Sequence, residues 1–103
     1  MERMEIKIGW NSAFQPAESI TWRDIKGELI ALELESGEYF SFNEIGRLAW
    51  LALADGRNVG QVVEAVLAEY EVSLAQAESD VVAFTQGLLE NKLIVPRTPG
   101  ASS

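Results

Sequence analysis

The hydrophobic pattern of this chain changes period once, at Asn43, and that switch limits its fold more than any other feature. Before Asn43 apolar residues alternate, as on a strand; after it they recur every three or four residues, as on a helix. Glu28–Glu35 is the clearest strand, with Ile30, Leu32 and Leu34 on one face and Leu29, Ala31, Glu33 and Glu35 on the other. Ile20–Ile25, rich in β-branched and aromatic residues, precedes it across a Lys26-Gly27 turn. Ser36-Gly37 reads as a two-residue hairpin leading into Tyr39–Phe42, where Phe40 and Phe42 share a face. These pieces predict a three-stranded antiparallel meander over 20–42. Met4–Trp10, with Met4, Ile6 and Ile8 on one face, is a candidate extra strand, and Asn11–Ser19 has the composition of a loop.

Three helices are predicted after the switch, each with its own start signal. Asn43 caps the first, whose stripe is Ile45, Leu48, Ala49 and Ala52, and Asp55-Gly56-Arg57 closes it. Asn58 and Gln61 form a capping pair for the second, with the stripe Val62, Val63, Val66, Leu67 and Tyr70. Ser73 and Gln76 repeat the device for the third, whose core stripe is Leu74, Ala77, Val81, Phe84 and Leu88. Leu93-Ile94-Val95 is short, apolar and stopped by Pro96. The fold class is therefore α+β: a three-stranded antiparallel sheet followed by a three-helix bundle, resembling a winged helix-turn-helix with the sheet placed first. The 103 residues make one domain, with an N-terminal segment over 1–19, a folded unit over 20–95 and a disordered tail over 96–103.

Composition then removes function classes. The chain has no Cys and no His, so thiol nucleophiles, disulfides, imidazole bases and the usual zinc sites are absent. Eight Lys and Arg stand against 16 Asp and Glu, a net charge of −8. No basic residue lies between Arg57 and Lys92, where a recognition helix would need them, while Glu64, Glu69, Glu71, Glu78, Asp80 and Glu90 do. Phosphate repels such a surface, so nucleic acid is not an expected partner. Asp24, Glu33, Glu35 and Glu38 surround the hairpin and offer acid–base or cation chemistry on paper, but as solvated ends of a sheet they need no such role. No glycine spacing matches a phosphate loop, and no apolar run approaches the ~20 residues that cross a membrane. The expectations are no enzyme, no cofactor, no metal, no membrane partner and a cytoplasmic location.

Peptide or protein binding is what the sequence favours. A small meander has an open edge, and Tyr39–Phe42 is aromatic and uncharged apart from the preceding Glu38. Val82 and Leu89 flank the core line of the third helix, with Thr85 between them. They form one wall of a groove against the last strand, or else pack on Met4–Trp10 or at a homodimer contact. Trp22 and Trp50 read as core or core-rim anchors, and Trp10 as a docking or dimer contact. Gly46 and Gly87 inside helices predict close packing against neighbours. Asp80 is either solvated or paired with Arg47 or Arg57.

An ordered set of these residues resembles the PqqD family. It comprises Trp22, Gly27-Glu28-Leu29-Ile30, the run Gly37-Glu38-Tyr39-Phe40-Ser41-Phe42-Asn43-Glu44-Ile45-Gly46, then Trp50 and Asp55-Gly56-Arg57. Val62-Val63, Leu67, Tyr70, Asp80-Val81, Phe84, Leu88 and Leu93-Ile94 complete it, so that about 18–95 is covered in register. Phe42 stands where the family more often has Leu, and Asn58 where Thr or Ser is common. The resemblance implies a recognition element for ribosomally made, post-translationally modified peptides, a chaperone without catalysis. Such a domain holds the leader of a precursor peptide and presents it to a modifying enzyme, a radical-SAM maturase or a leader protease. It implies that the leader adds as a strand beside Glu38, Tyr39, Phe40 and Ser41, against Val81, Val82, Phe84, Thr85, Leu88 and Leu89 of the third helix. The alternative is a dimerising regulatory or interaction module that uses the same edge without a leader ligand.

Overall fold

Two left-handed residues set the first hairpin. Lys26 (φ 54°) and Gly27 (φ 84°) both sit at positive φ, the two-residue turn whose twist matches that of paired strands. The computed structural model describes residues 8–97. In order these form β1 (Phe14–Pro16), β2 (Ile20–Ile25), β3 (Glu28–Glu33), β4 (Tyr39–Phe42), α1 (Glu44–Ala54), α2 (Val59–Glu69), α3 (Leu74–Glu90) and β5 (Ile94–Pro96). The meander runs β2-β3-β4, antiparallel throughout, as the alternation predicts.

The second hairpin is longer than its sequence suggests. Glu33 ends β3, and the expected Ser36-Gly37 two-residue turn is instead a loop closed by Glu33 N donating to Glu38 O (2.8 Å) and Gly37 N donating to Glu33 O (2.8 Å). The Glu33 carboxylate causes the early exit. Its Oε1 accepts from the backbone N–H of Glu35 (2.7 Å) and Ser36 (2.8 Å), turning the chain, while Ser19 Oγ donates to Oε2.

Register decides which sheet face meets the helices. Trp22, Ala31 and Phe40 lie opposite one another, as do Asp24, Leu29 and Phe42. Leu29 and Ala31 are fully buried on the inner face, whereas Ile30 and Leu32 are half-buried on the outer face and Leu34 is exposed. Trp50 of α1, fully buried, packs on the inner face, stacked on Phe42 (centroids 5.6 Å) and edge-on to Trp22 (5.5 Å).

Each helix begins where its capping residue dictates. Asn43 Oδ1 accepts from Gly46 N (2.8 Å), and Ser73 Oγ from Gln76 N (3.0 Å). The second start is a full capping box: Gln61 N donates to Asn58 Oδ1 and Asn58 N to Gln61 Oε1, both at 2.9 Å. Asn58→Ala is expected to cost about 1 kcal/mol of stability in urea melts. The bundle core contains Ala49, Leu53, Val62, Val63, Val66, Ala77, Val81 and Leu88, all buried. On α3 the stripe departs from its prediction at two places. Leu74, in the first turn, is exposed, and Thr85 takes the buried position assigned to Phe84; its hydroxyl is satisfied by donating to Val81 O (2.7 Å).

The segment read as a loop, Asn11–Ser19, contains β1. Residues 4–7 of the candidate strand Met4–Trp10 and residues 98–103 of the tail lie outside the described residues, and residues 8–10 form no strand. β1 pairs antiparallel with β5, with Phe14 opposite Pro96, and Phe14 is buried in the core. The same segment completes α2: Val59 N donates to Ser12 O and Gly60 N to Trp10 O, both at 2.9 Å, satisfying donors that a helix start leaves free. A side chain at Gly60 would lie 2.7 Å from Trp10 Cε3, so glycine is required there.

Candidate functional site

Among the described residues the three-stranded sheet has two unpaired edges, β2 and β4, and the chain treats them differently. In antiparallel ladders hydrogen-bonded and non-hydrogen-bonded pairs alternate. Because Glu33 N bonds to Glu38 O, Phe40 and Phe42 direct their backbone polar groups to β3, and Tyr39 and Ser41 direct theirs outward. On the other side Leu34 N bonds to Ser19 O (2.8 Å), so Ile20, Trp22 and Asp24 face outward from β2. β2 carries Arg23 and Asp24, charges that discourage strand addition, while Tyr39–Phe42 carries none. Tyr39 and Ser41 are exposed, and Phe40 and Phe42 are half-buried. β4 is the edge that carries no charge of its own.

One flank of α3 stands beside that edge. Phe84 meets Phe42 edge-on, with centroids 5.5 Å apart. Gly46 permits the approach: a Cβ there would lie 3.2 Å from Phe84 Cε1, Phe42 Cβ and Asn43 Oδ1 alike. The close packing expected at Gly46 is therefore present. At Gly87 it is not, since nothing lies within 4 Å of where a Cβ would be.

The helix residues singled out in the sequence fall into three groups. Val81, Thr85 and Leu88 are buried in the core and back the wall from inside. Phe84 is half-buried beside β4. Val82 and Leu89 are half-buried too, but at 3.6 residues per turn they project about 160° and 140° around the helix from Phe84. A single wall holding Phe84 together with Val82 and Leu89, as the family resemblance implied, is not what the helix geometry allows. Two positions between Phe84 and Val82 make opposite flanks, and Phe42 fixes which flank faces the strand. The β4-facing flank instead continues through Asp80 and Gly87, which no apolar periodicity would single out.

The direction of α3 along β4 follows from its ends. Ala17 N donates to Leu93 O (2.9 Å), and Ile20, three residues on, pairs with Glu33 near Tyr39. At the opposite end Tyr70 Oη, just before α3, lies 3.4 Å from Glu44 Oε1, just after Phe42. So α3 starts near the Phe42 end of the strand and finishes near the Tyr39 end. Phe84 sits by Phe42.

Two of the hairpin carboxylates are structural. Asp24 accepts from Arg47 Nε (3.0 Å) in a two-pronged ion pair, and Glu33 holds the β3–β4 loop. Asp80 pairs with neither Arg47 nor Arg57; it accepts from Gln76 Nε2 (2.9 Å), one helical turn away. Arg47 lines a cleft with Gly27, Glu44, Leu48, Glu69 and Tyr70, where partial burial and then Glu44 push the Tyr70 phenol up. Among the described residues no three His, Cys, Asp or Glu side chains are grouped to hold a metal ion, and no helix is long and apolar enough to cross a membrane.

These bonds set a pH dependence. The Arg47 hydrogen bond draws the Asp24 pKa below 3.8, and bonds from Ser19 and Ser36 draw that of Glu33 below 4.5. A carboxyl with a depressed folded pKa contributes its stability in full above the unfolded value and loses it as pH falls through the folded one. Melting temperature is therefore expected to hold from pH 7 to about 5 and drop below about 4, with Asp24→Asn flattening part of the drop. An acid profile unchanged by that substitution would contradict the assignment.

Comparison with known proteins finds relatives of this fold. The family model for coenzyme PQQ synthesis protein D (PqqD) matches residues 28–94. A solved structure described as TbiB1 in complex with the TbiA(beta) leader peptide is similar at 26% identity and a TM-score of 0.76, covering 82% of this chain and 98% of that one. Another, a lasso peptide synthetase B1 complexed with the leader peptide, is similar at 30% identity and a TM-score of 0.75, covering 81% and 98%. No curated protein matches the chain.

Proposed function

The chain belongs to the PqqD family, and on that premise we propose that it binds the leader segment of a ribosomally made precursor peptide and presents it to a modifying enzyme. The leader adds as a fourth strand on β4. Its backbone bonds to the outward N–H and C=O groups of Tyr39 and Ser41, and Glu38 borders the entry. Side chains on its inner face lie toward Phe40, Phe42 and the Phe84 flank of α3, with Val81, Thr85 and Leu88 holding that helix in place. Val82 and Leu89, on the other flank, serve a different contact: the modifying enzyme, a radical-SAM maturase or a leader protease, or a second copy of this chain. The protein contributes register and local concentration, and the bond-making belongs to its partner.

The observation that carries the reading is the uncharged open edge of β4 beside an aromatic helix flank. The solved relatives with bound leader peptides support it. The test is an amide-shift titration with synthetic peptides spanning the precursor peptides encoded near this chain's gene. Shifts centred on Glu38–Phe42 and on the Asp80–Gly87 flank are the expected result. A folded protein that shows no shift with any of these peptides at millimolar concentration, and self-associates through β4, would replace this reading with the dimerising module.

A further inference from the structure

The meander has a second face, away from the helix that covers it. α1 packs on the inner face through Trp50, stacked on Phe42 and edge-on to Trp22. On the outer face Thr21, Leu32 and Tyr39 lie opposite one another, as do Arg23, Ile30 and Ser41, and Ile25 lies opposite Glu28. Leu34 continues the middle strand, its N–H donating to Ser19 O (2.8 Å). Ile30 and Leu32 are half-buried there, while Ile25 (49%), Leu34 (60%) and Tyr39 (72%) are exposed. Seven large apolar side chains stand exposed among the described residues, and three of them belong to this one face, so the exposure is a patch rather than scatter.

Size and charge narrow what can cover it. Three strands about 4.8 Å apart and six residues of about 3.3 Å each make a face of roughly 14 by 20 Å, about 300 Å². A stable interface takes about 800 Å² from each partner, so two copies joined by this face alone would not hold together. Their charge of −8 each opposes the pairing as well. The face carries one cation and one anion, Arg23 and Glu28, and among the described residues Arg23 has no carboxylate partner. It therefore fits an apolar surface that bears a carboxylate, on a protein held nearby by a second contact. A strand added to β4 supplies that contact. It widens the sheet by about 4.8 Å, and alternate side chains along it point to the same side as Tyr39.

Resting on the leader-binding reading above, we propose that the outer face of the meander is where the modifying enzyme docks, with Leu32, Leu34 and Tyr39 as the apolar contact and Arg23 taking a carboxylate of the enzyme. Outward side chains of the leader strand extend the contact past Tyr39. The enzyme is the occupant because it also grips the core of the same peptide. With the peptide held at both ends a small face is enough, since a short tether raises the effective concentration to about the millimolar range.

The experiment uses the full chain, the precursor peptide that binds in the titration and the purified modifying enzyme encoded beside this chain's gene. Calorimetry gives the affinity for the precursor, and immobilised enzyme gives the affinity for the precursor-loaded protein. Leu34→Glu and Arg23→Glu stand at exposed positions off the β4 edge, so each is expected to fold and to bind the precursor within about twofold of wild type. Each is expected to weaken the enzyme contact about tenfold or more. Arg23→Lys, which keeps the charge, is expected to lose less than about threefold. Unchanged enzyme affinity in the variant carrying both Leu34→Glu and Arg23→Glu would overturn the proposal while leaving leader binding intact. So would self-association of wild type that Leu34→Glu abolishes, because the face would then belong to a second copy. A wild type that binds no precursor would overturn leader binding itself.

Discussion

Ser41→Pro will leave the domain folded and remove peptide binding. The Ser41 N–H points to the open side of β4 and takes no part in the β3 ladder, so proline deletes no internal bond there. An incoming strand loses a donor, worth about 0.5–1.5 kcal/mol net, and meets a ring where its own backbone should lie. The sum is above about 2 kcal/mol, or at least thirtyfold in Kd by calorimetry. Phe40→Pro is the control one residue away, because the Phe40 N–H does face β3; it should disrupt the sheet and broaden the whole spectrum. Normal affinity in Ser41→Pro would show that β4 is not the edge that pairs.

Trp50→Ala is expected to be the most damaging single substitution to stability. The side chain is fully buried, stacked on Phe42 and edge-on to Trp22, and its removal should cost about 3–5 kcal/mol. Domains of this kind have about 5–15 kcal/mol in total, so the loss is a large share of the margin. The damage reaches the site through Phe42, which holds Phe84 against the strand. Trp50→Phe should be far milder, under about 2 kcal/mol, for a specific reason. Among the described residues the Trp50 indole N–H has no acceptor, so phenylalanine removes a buried donor that was never satisfied. Urea midpoints for the two variants decide the matter, and a Trp50→Ala midpoint close to wild type would contradict the packing described.

The sheet, the three helices and their caps were readable because each rests on local chemistry: alternation on β3, Lys26-Gly27 at the turn, Asn43, Asn58 and Ser73 at the helix starts. What local chemistry could not give was pairing at long range. β1 and β5 have three residues each, too few for a period to register, and each becomes a strand only because the other is present. The buried stripe of α3 includes Thr85 where the apolar pattern points to Phe84, because the Thr85 hydroxyl is absorbed by the Val81 carbonyl and its remainder packs as valine would. At the site, the strand half was legible as an aromatic run without charge. The helix half was blurred, since hydrophobicity marks both flanks of the buried stripe alike and only the Phe42–Phe84 contact tells them apart.

The β1–β5 pair also gives the domain a mechanical property. Arg97 N bonds to Ala13 O (2.8 Å), and Phe14 faces Pro96, so the chain enters and leaves at neighbouring points, about 4.8 Å apart as adjacent strands are. The β1–β5 clamp thus brings the two flanks of the fold together, the arrangement that lets a domain be spliced into a loop of a host protein. Tension applied at the two ends loads the Ser12 and Trp10 bonds to α2 and then opens the short β1–β5 ladder from its mouth, one bond at a time like a zip. The load is spent there before it reaches β4, and the docking edge keeps its shape while the domain is tugged from outside.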